Sequence, residues 1–181
     1  RSRTLRRSRT AVQSRARLGF YKTLPIESQP DAQMAVTADH RVSANALHCQ
    51  GVVSMARAQT ENSANSQFFI MRQPNTALDK RYTIFGRVVW GQEAVMQLAV
   101  GNPPANPDRM LAVRVAADLP EAERAPIYVL RTDGPEFREL IDDTRDERRA
   151  DFSVCDVQIP ARVPRSNDRE RRWWSIIPFI P

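Results

Sequence analysis

The sequence predicts a mainly β protein consisting of one domain with appendages. Three apolar runs of strand length lie close together, at residues 51–56, 67–71 and 82–89, and polar loops rich in turn-forming residues separate them. A length of 181 residues suits a single domain. The 13 prolines against 6 glycines predict long irregular segments around this core.

The positive charge gathers at the two ends of the chain. Residues 1–18 are rich in Arg and Ser and predict a disordered tail, and residues 164–181 predict an irregular one. The net charge of +6 leaves a basic nucleic-acid-binding protein as the least favoured alternative, without sequence-specific recognition. No apolar run approaches the ~18 residues of a membrane span, so no spanning segment is predicted.

The two cysteines, Cys49 and Cys155, form no C-x-x-C motif and do not indicate a metal site. The first interpretation is a pair of buried free thiols, which would suit a cytoplasmic protein. The alternative is a disulfide that ties the C-terminal part to the segment before Gly51, and it would suit a periplasmic parent protein. The chain begins with Arg1 and shows no signal-peptide pattern, which predicts a processed product or a fragment.

Two further elements are predicted directly after the three runs. Residues 92–100 carry Ala94, Val95 and Leu98 on one face and predict a short helix, with Gly101 as its left-handed stop. Residues 109–116 alternate apolar and polar side chains and predict a strand.

Residues 119–163 predict a β-α-β extension packed on the domain. The helix has Pro135 in its first turn, a favourable position for proline, and an apolar face formed by Phe137, Leu140 and Ile141. The predicted elements are a strand at 127–130, a helix at 135–149 and a strand at 152–163.

Residues 51–91 carry a dense pattern of fixed offsets: G-x-x-S-M-A-x-A, a variable loop, S-Q-F-F-I, then L-D and F-G-x-V. This block resembles the cyclophilins, the peptidyl-prolyl cis-trans isomerases. The resemblance implies a cyclophilin-like antiparallel β-barrel over residues 19–118, bearing the β-α-β elaboration at its C-terminal side. The barrel is expected to be incomplete, because the N-terminal third of the family pattern has no counterpart here. The matching residues are Gly51, Ser54, Met55, Ala56, Ala58, Ser66, Gln67, Phe68, Phe69, Ile70, Leu78, Asp79, Phe85, Gly86 and Val88.

The resemblance implies a chemistry that needs no cofactor and no metal. Twisting an Xaa-Pro bond is opposed by amide resonance, with a barrier of ~18–20 kcal/mol. A catalyst needs an apolar pocket for the proline ring and hydrogen-bond donors that stabilise the twisted amide. The implied partners are Xaa-Pro segments of peptides and unfolded proteins, and a non-catalytic proline-peptide binding module is the alternative.

Six substrate-binding residues follow from the resemblance. Phe69 and Leu78 match the pocket residues, and Gln67 matches a glutamine that hydrogen-bonds near the substrate, with scaffold bonding as the rival role. Phe68 is expected to lie in the core. The family's catalytic Arg lies in a segment resembling F-H-R-V-x-x-x-F-M-x-Q-x-G, which is not found, so no catalytic residue is assigned. The remaining matches are Ala56 and Arg57, at an Ala-Asn pair that contacts the peptide, and Tyr82, where many members carry His.

Overall fold

The computed structural model describes residues 17–29, 43–163 and 174–176. The predicted tail at 1–18 lies outside these ranges except for its last two residues, and the predicted tail at 164–181 lies outside them except for 174–176. Within these ranges the chain forms three separate antiparallel sheets of three strands each. The described strands do not close into a barrel, so the mainly β class and the incomplete barrel are both confirmed.

The first sheet is a hairpin with a third strand added. Strands β1 (Arg17–Tyr21) and β2 (Leu24–Ser28) pair around a two-residue turn, and β3 (Ala44–Ala46) pairs with the other edge of β2. Lys22 has a φ of 52° in that turn, the left-handed conformation that tight hairpins require.

The second sheet contains the three predicted strands and confirms them. Strand β4 (Val52–Met55) lies between β5 (Phe68–Ile70) and β6 (Ile84–Arg87). Because β4 is the central strand, its alternate residues Val52 and Ser54 are fully buried. A small apolar cluster forms beneath the sheet from Cys49, Val52 and Met71.

Helix α1 (Gln92–Gln97) begins after Gly91, which has a φ of 84°. The predicted helix is therefore confirmed, but it ends before Leu98, so Gly101 does not terminate it. The strand predicted at residues 109–116 is wrong. This segment pairs with no described strand, and the side chains of Met110 and Leu111 are 71% and 96% exposed. A strand needs a neighbouring backbone for its hydrogen bonds, and apolar alternation alone does not supply one.

The extension contains β7 (Tyr128–Leu130) and α2 (Pro135–Arg148), both close to prediction. Its sheet has the order β8-β7-β9, in which β8 is Ala161–Arg162 and β9 is Trp174–Ile176. Strand β9 lies inside the segment predicted to be an irregular tail, so that prediction is wrong for these three residues.

The strand predicted at 152–163 is wrong except for its two residues in β8. Residues Arg149–Asp151 and Val154–Asp156 form 3-10 helices instead. Ser153 and Asp156 cap the second of these with a reciprocal pair of side-chain to backbone bonds. Val154 and Val157 are both buried, which fits a repeat of three residues and not the two-residue repeat of a strand.

A disulfide, a ring contact and hydrogen bonds tie the extension to the rest of the described chain. A disulfide joins Cys49 to Cys155, with a Cα–Cα distance of 5.0 Å, so the free-thiol interpretation is wrong and the disulfide alternative holds. The Phe20 ring of β1 packs edge-to-face on Phe137 of α2, with ring centroids 4.9 Å apart. Thr132 donates a 2.6 Å hydrogen bond to the Lys22 carbonyl in the hairpin turn.

None of the helices in the described ranges is long and apolar enough to cross a membrane.

Candidate functional site

Three rings gather at one side of the central sheet. The Phe69 ring stacks nearly parallel to the His48 imidazole, with centroids 6.1 Å apart and an interplanar angle of 13°. The Tyr82 ring meets Phe69 edge-on at 5.6 Å and His48 edge-on at 6.5 Å. Phe69 and Tyr82 are half-buried, while His48 is 2% exposed. The rings thus form a wall with a buried back and an accessible front.

The strands and one short helix set the positions of these side chains. Phe69 lies on β5, paired with Ser54 on β4, and Tyr82 lies two residues before β6. Leu78 ends a 3-10 helix (Thr76–Leu78) whose start is capped by the Asn75 side chain, which accepts from the Ala77 N–H at 3.1 Å. Leu78 and Phe69 both pack against the Cys49, Val52 and Met71 cluster.

The backbone brings Ala56 and Gln67 together at the edge of this wall. The Ala56 N–H donates to the Gln67 carbonyl at 2.9 Å. The Gln67 side chain is exposed and makes no hydrogen bond with a described residue, so the scaffold-bonding role has no support there. Phe68 is 43% exposed, and the expectation of core burial is therefore wrong. Successive side chains of a strand point to opposite faces, and the face that carries Phe68 is open.

Arg57 lies over Tyr82, with its guanidinium carbon 5.0 Å from the ring centroid. Its Nε donates to the Arg81 carbonyl at 3.0 Å, and its Nη1 donates to the carbonyls of Ala58 and Gln59 at 3.0 and 3.1 Å. These bonds fix the guanidinium between two loops. They also occupy most of the donors that it would offer to a ligand.

The structure brings together all six residues that the sequence proposed for substrate binding. Phe69 and Tyr82 belong to the wall of rings, and Leu78 packs against the same apolar cluster as Phe69. Arg57 covers one edge of the wall, and Ala56 and Gln67 lie side by side next to it. An open cleft of about 560 Å³ adjoins Tyr82 and is lined by charged side chains, Arg57, Glu61, Lys80 and Arg81 among them.

A buried polar network supports this wall, and sequence reasoning missed it. Asp79 Oδ1 accepts from the His48 backbone N–H at 2.7 Å and lies 2.9 Å from its ring Nδ1. The other ring nitrogen, Nε2, lies 3.2 Å from the Ser54 hydroxyl, which donates to the Thr83 carbonyl at 2.9 Å. The network thus links the segment before β4, β4 itself and the loop before β6.

The sequence did contain a signal for this network. Asp79 and Ser54 belong to the motif at residues 51–91, yet neither matches a position that contacts substrate. A polar motif residue without a substrate role is expected to bond to a buried partner. His48, three residues before Gly51, is a candidate for that partner. Because His48 forms the back of the wall, its bonds set the position of the ring on which Phe69 stacks.

Comparison with known proteins gives a consistent family. The model of the cyclophilin type peptidyl-prolyl cis-trans isomerase family matches residues 7–115. A probable peptidyl-prolyl cis-trans isomerase from Brucella abortus is 42% identical over 74 residues, which is 38% of this chain and 38% of that protein. Peptidyl-prolyl cis-trans isomerase 4 of Caenorhabditis elegans is 41% identical over 58 residues, 32% of this chain and 11% of the relative.

A solved structure extends the likeness beyond the family match. The cyclophilin AquaCyp293 from Hirschia baltica has a TM-score of 0.75 and 37% identity, covering 84% of this chain and 56% of its own. The chain thus spans just over a half of that structure and well under a half of the Brucella relative. The family match alone covers more than a half of the 181 residues. The chain belongs to the cyclophilin-type peptidyl-prolyl cis-trans isomerase family.

Proposed function

We propose that the Phe69 and Tyr82 rings of the wall, together with Leu78, bind the proline ring of Xaa-Pro segments, and that the chain acts on these segments as a peptidyl-prolyl cis-trans isomerase. The observation that carries this proposal is the half-buried Phe69 ring, held between His48 and Tyr82. An apolar ring surface with a rigid back suits the flat, apolar face of a prolyl ring. The family to which the chain belongs binds proline-containing peptides.

The polar groups around the wall suit the peptide backbone on either side of the proline. The Gln67 side chain is exposed and has both an acceptor and donors available. A donor aimed at the prolyl nitrogen is the group that accelerates rotation, because the nitrogen lone pair localises as the amide twists. The sequence analysis assigns no described residue to the role of that donor. We therefore expect the chain to bind the peptide and to accelerate its isomerisation only weakly.

One observation favours binding without turnover as a second candidate function. Arg57 is the guanidinium that contacts the aromatic wall, and its donors bond to three backbone carbonyls. Releasing them to reach a substrate would leave those carbonyls without these partners. The two candidates share one binding surface and differ only in whether bound peptide isomerises faster.

The test is a two-dimensional NMR exchange measurement on an Ala-Pro peptide, made together with a titration that yields its Kd. Phe69→Ala removes the ring from the wall and is expected to weaken binding by at least tenfold, about 1.4 kcal/mol. Phe68→Ala is the matched control, because it removes an equal ring from the neighbouring position of β5, where the side chain points to the opposite face of the sheet and is 43% exposed. We expect its affinity to stay within twofold of the wild type.

The outcomes separate the candidates. Faster cis-trans exchange that Phe69→Ala abolishes supports isomerase activity at this surface. Binding that Phe69→Ala weakens, without faster exchange, supports the binding module. Equal losses of peptide affinity in Phe69→Ala and Phe68→Ala would refute both candidates. A folded wild-type sample that binds no peptide would also refute both.

A further inference from the structure

The Cys49–Cys155 disulfide adjoins the aromatic wall formed by His48, Phe69 and Tyr82. Cys49 directly follows His48 in the sequence, and its side chain is fully buried. Phe69 packs against the apolar cluster to which Cys49 belongs, and Cys155 packs against the same cluster from the extension. The support of the wall therefore includes one side chain, Cys155, that comes from a different part of the chain.

The extension fixes Cys155 in place. Cys155 lies in the 3-10 helix Val154–Asp156, whose start is closed by a reciprocal side-chain cap. At its end, Asp156 Oδ1 lies 3.7 Å from Nη2 of Arg148, the last residue of α2. Because these anchors belong to the extension, the position of the Cys155 sulfur follows the extension. The covalent bond passes this position on to Cys49.

Reduction of the bridge cannot leave both sulfurs where they are. Two thiols in contact need more room than two bonded sulfurs, and a close-packed interior has little room to give. Cys49 is fully buried beside the wall, whereas Cys155 is half-buried. The separation of the thiols must therefore displace Cys49 and its cluster, or the part of the extension that carries Cys155. In both cases the packing beneath Phe69 changes.

The reductant that this step requires is a dithiol, a molecule with two thiol groups. One of its thiolates attacks the sulfur of the half-buried Cys155, the S–S bond breaks, and its electron pair stays on Cys49 Sγ, which takes up a proton. The second thiol of the dithiol then displaces Cys155 from the mixed disulfide and leaves it as a thiol. The dithiol ends as a disulfide and the chain gains two thiols, so the exchange is balanced and reversible.

We propose that Cys155 is a positioning residue of the proline-binding site, which acts through Cys49 on the aromatic wall, so that the affinity for Xaa-Pro peptides depends on the redox state of the bridge. The inference rests on the function proposed above and adds regulation of the same surface. The oxidised chain holds Phe69 against a fixed cluster and binds the peptide at a preformed site. The reduced chain has to order that surface on binding, which lowers its affinity.

The experiment measures the Kd of an Ala-Pro peptide by NMR titration, together with the ring signals of Phe69 and His48 in the free protein. The samples are the oxidised chain, the chain reduced with dithiothreitol, and Cys155→Ala, which leaves Cys49 in its cluster without a bridge. We expect reduction to move both ring signals and to weaken binding about tenfold. Cys155→Ala should bind as weakly as the reduced chain and should not respond to dithiothreitol.

Phe137→Ala is the control for a general loss of stability. It removes a fully buried ring from the extension and leaves both cysteines in place. We expect its folded form to bind the peptide with wild-type affinity when oxidised and about tenfold more weakly when reduced. If Phe137→Ala does not fold, Phe152→Ala, a half-buried ring against the same cluster, replaces it with the same expectation. If Cys155→Ala does not fold, Cys155→Val refills the space without a bridge and should show the same loss.

Unchanged affinity in a folded reduced chain or in a folded Cys155 variant would overturn the proposal and leave the bridge a purely structural link. An equal loss of affinity in oxidised Phe137→Ala would overturn it as well, because the effect would then follow stability. A folded oxidised chain that binds no peptide would refute the proposed function instead. The ring signals then decide the inference: displacement of Phe69 and His48 on reduction supports it, and unmoved signals overturn it.

Discussion

The two apolar clusters of the described chain are built on different principles. The cluster under the aromatic wall, Cys49, Val52 and Met71, comes from one continuous segment and packs beside a buried polar network. The cluster of the extension consists of Leu130, Phe137 and Val157 and is wholly apolar. Phe20, more than a hundred residues earlier in the sequence, packs against its edge. The first cluster holds side chains in a fixed geometry for a site. The second attaches one part of the chain to another.

The largest effect is expected from Phe137→Ala in the extension. Phe137 is fully buried, and truncating such a ring typically costs about 3–5 kcal/mol. The midpoint of denaturant unfolding should fall accordingly. Peptide affinity of the folded variant should stay unchanged, because the aromatic wall rests on the other cluster. A matched control is Phe152→Ala, a ring only half-buried against the same cluster, with a smaller loss. Equal losses in the two variants would contradict the comparison.

The disulfide is the next test, because it joins one cluster to the neighbourhood of the other. It closes a loop of 106 residues, and a bridge of this kind typically contributes about 2–4 kcal/mol. The double variant Cys49→Ser/Cys155→Ser should unfold at lower denaturant than the wild type. Reductant should lower the wild-type midpoint and leave that of the double variant unchanged. A wild-type midpoint that ignores reductant would show that the two parts hold together without the bridge.

The same difference explains what the sequence could predict. The strands β4, β5 and β6, and the gathering of Phe69, Leu78 and Tyr82, depend on residues within one continuous segment of about forty. Local alternation, turn residues and motif offsets suffice at that range. Helix α2 was also readable, because Pro135 and its apolar face are local signals.

Local patterns did not decide the features that depend on distant partners. Strand β9 exists through pairing with β7, and the sequence left the Cys49–Cys155 bridge open as an alternative because the bridge depends on how the extension folds back. The segment at residues 109–116 shows the converse, since it has the alternation of a strand but no described neighbour to pair with. The role of His48 was not predicted, because its two partners, Ser54 and Asp79, are far from each other in the sequence.

Ser54→Ala tests whether the polar network matters to the first cluster. Ser54 is fully buried, and its loss leaves His48 Nε2 and the Thr83 carbonyl without this partner. We expect a loss of about 1–3 kcal/mol in the free energy of unfolding, with weaker peptide binding because the His48 ring is less firmly held. The exposed Ser66→Ala provides the control, with no change in either quantity. Unchanged stability in Ser54→Ala would make the network incidental to the fold.

The smallest effect is expected at the surface of the extension, where Arg131 donates hydrogen bonds of 3.0 and 2.7 Å to the two Asp133 oxygens. These bonds are the main cause of a lowered pKa for the Asp133 carboxyl. Such a carboxyl has a lower pKa in the folded than in the unfolded state. It therefore stabilises the fold at any pH above the ordinary carboxyl pKa of about 3.9, and this contribution is lost as the pH falls below that value.

Asp133→Asn should therefore lower the Tm slightly at pH 7, and the difference from the wild type should narrow as the pH is lowered below about 4. Solvent screens this exposed pair, so the difference should also shrink in high salt. Asp118→Asn removes an exposed carboxyl without a hydrogen bond from a described side chain, and it is the matched control for the loss of a surface charge at pH 7. A gap for Asp133→Asn that stays constant from pH 7 to pH 3 would assign its effect to the turn before α2 and not to charge. Of the two polar interactions tested, only the Ser54 bonds beside the first cluster would then contribute to stability.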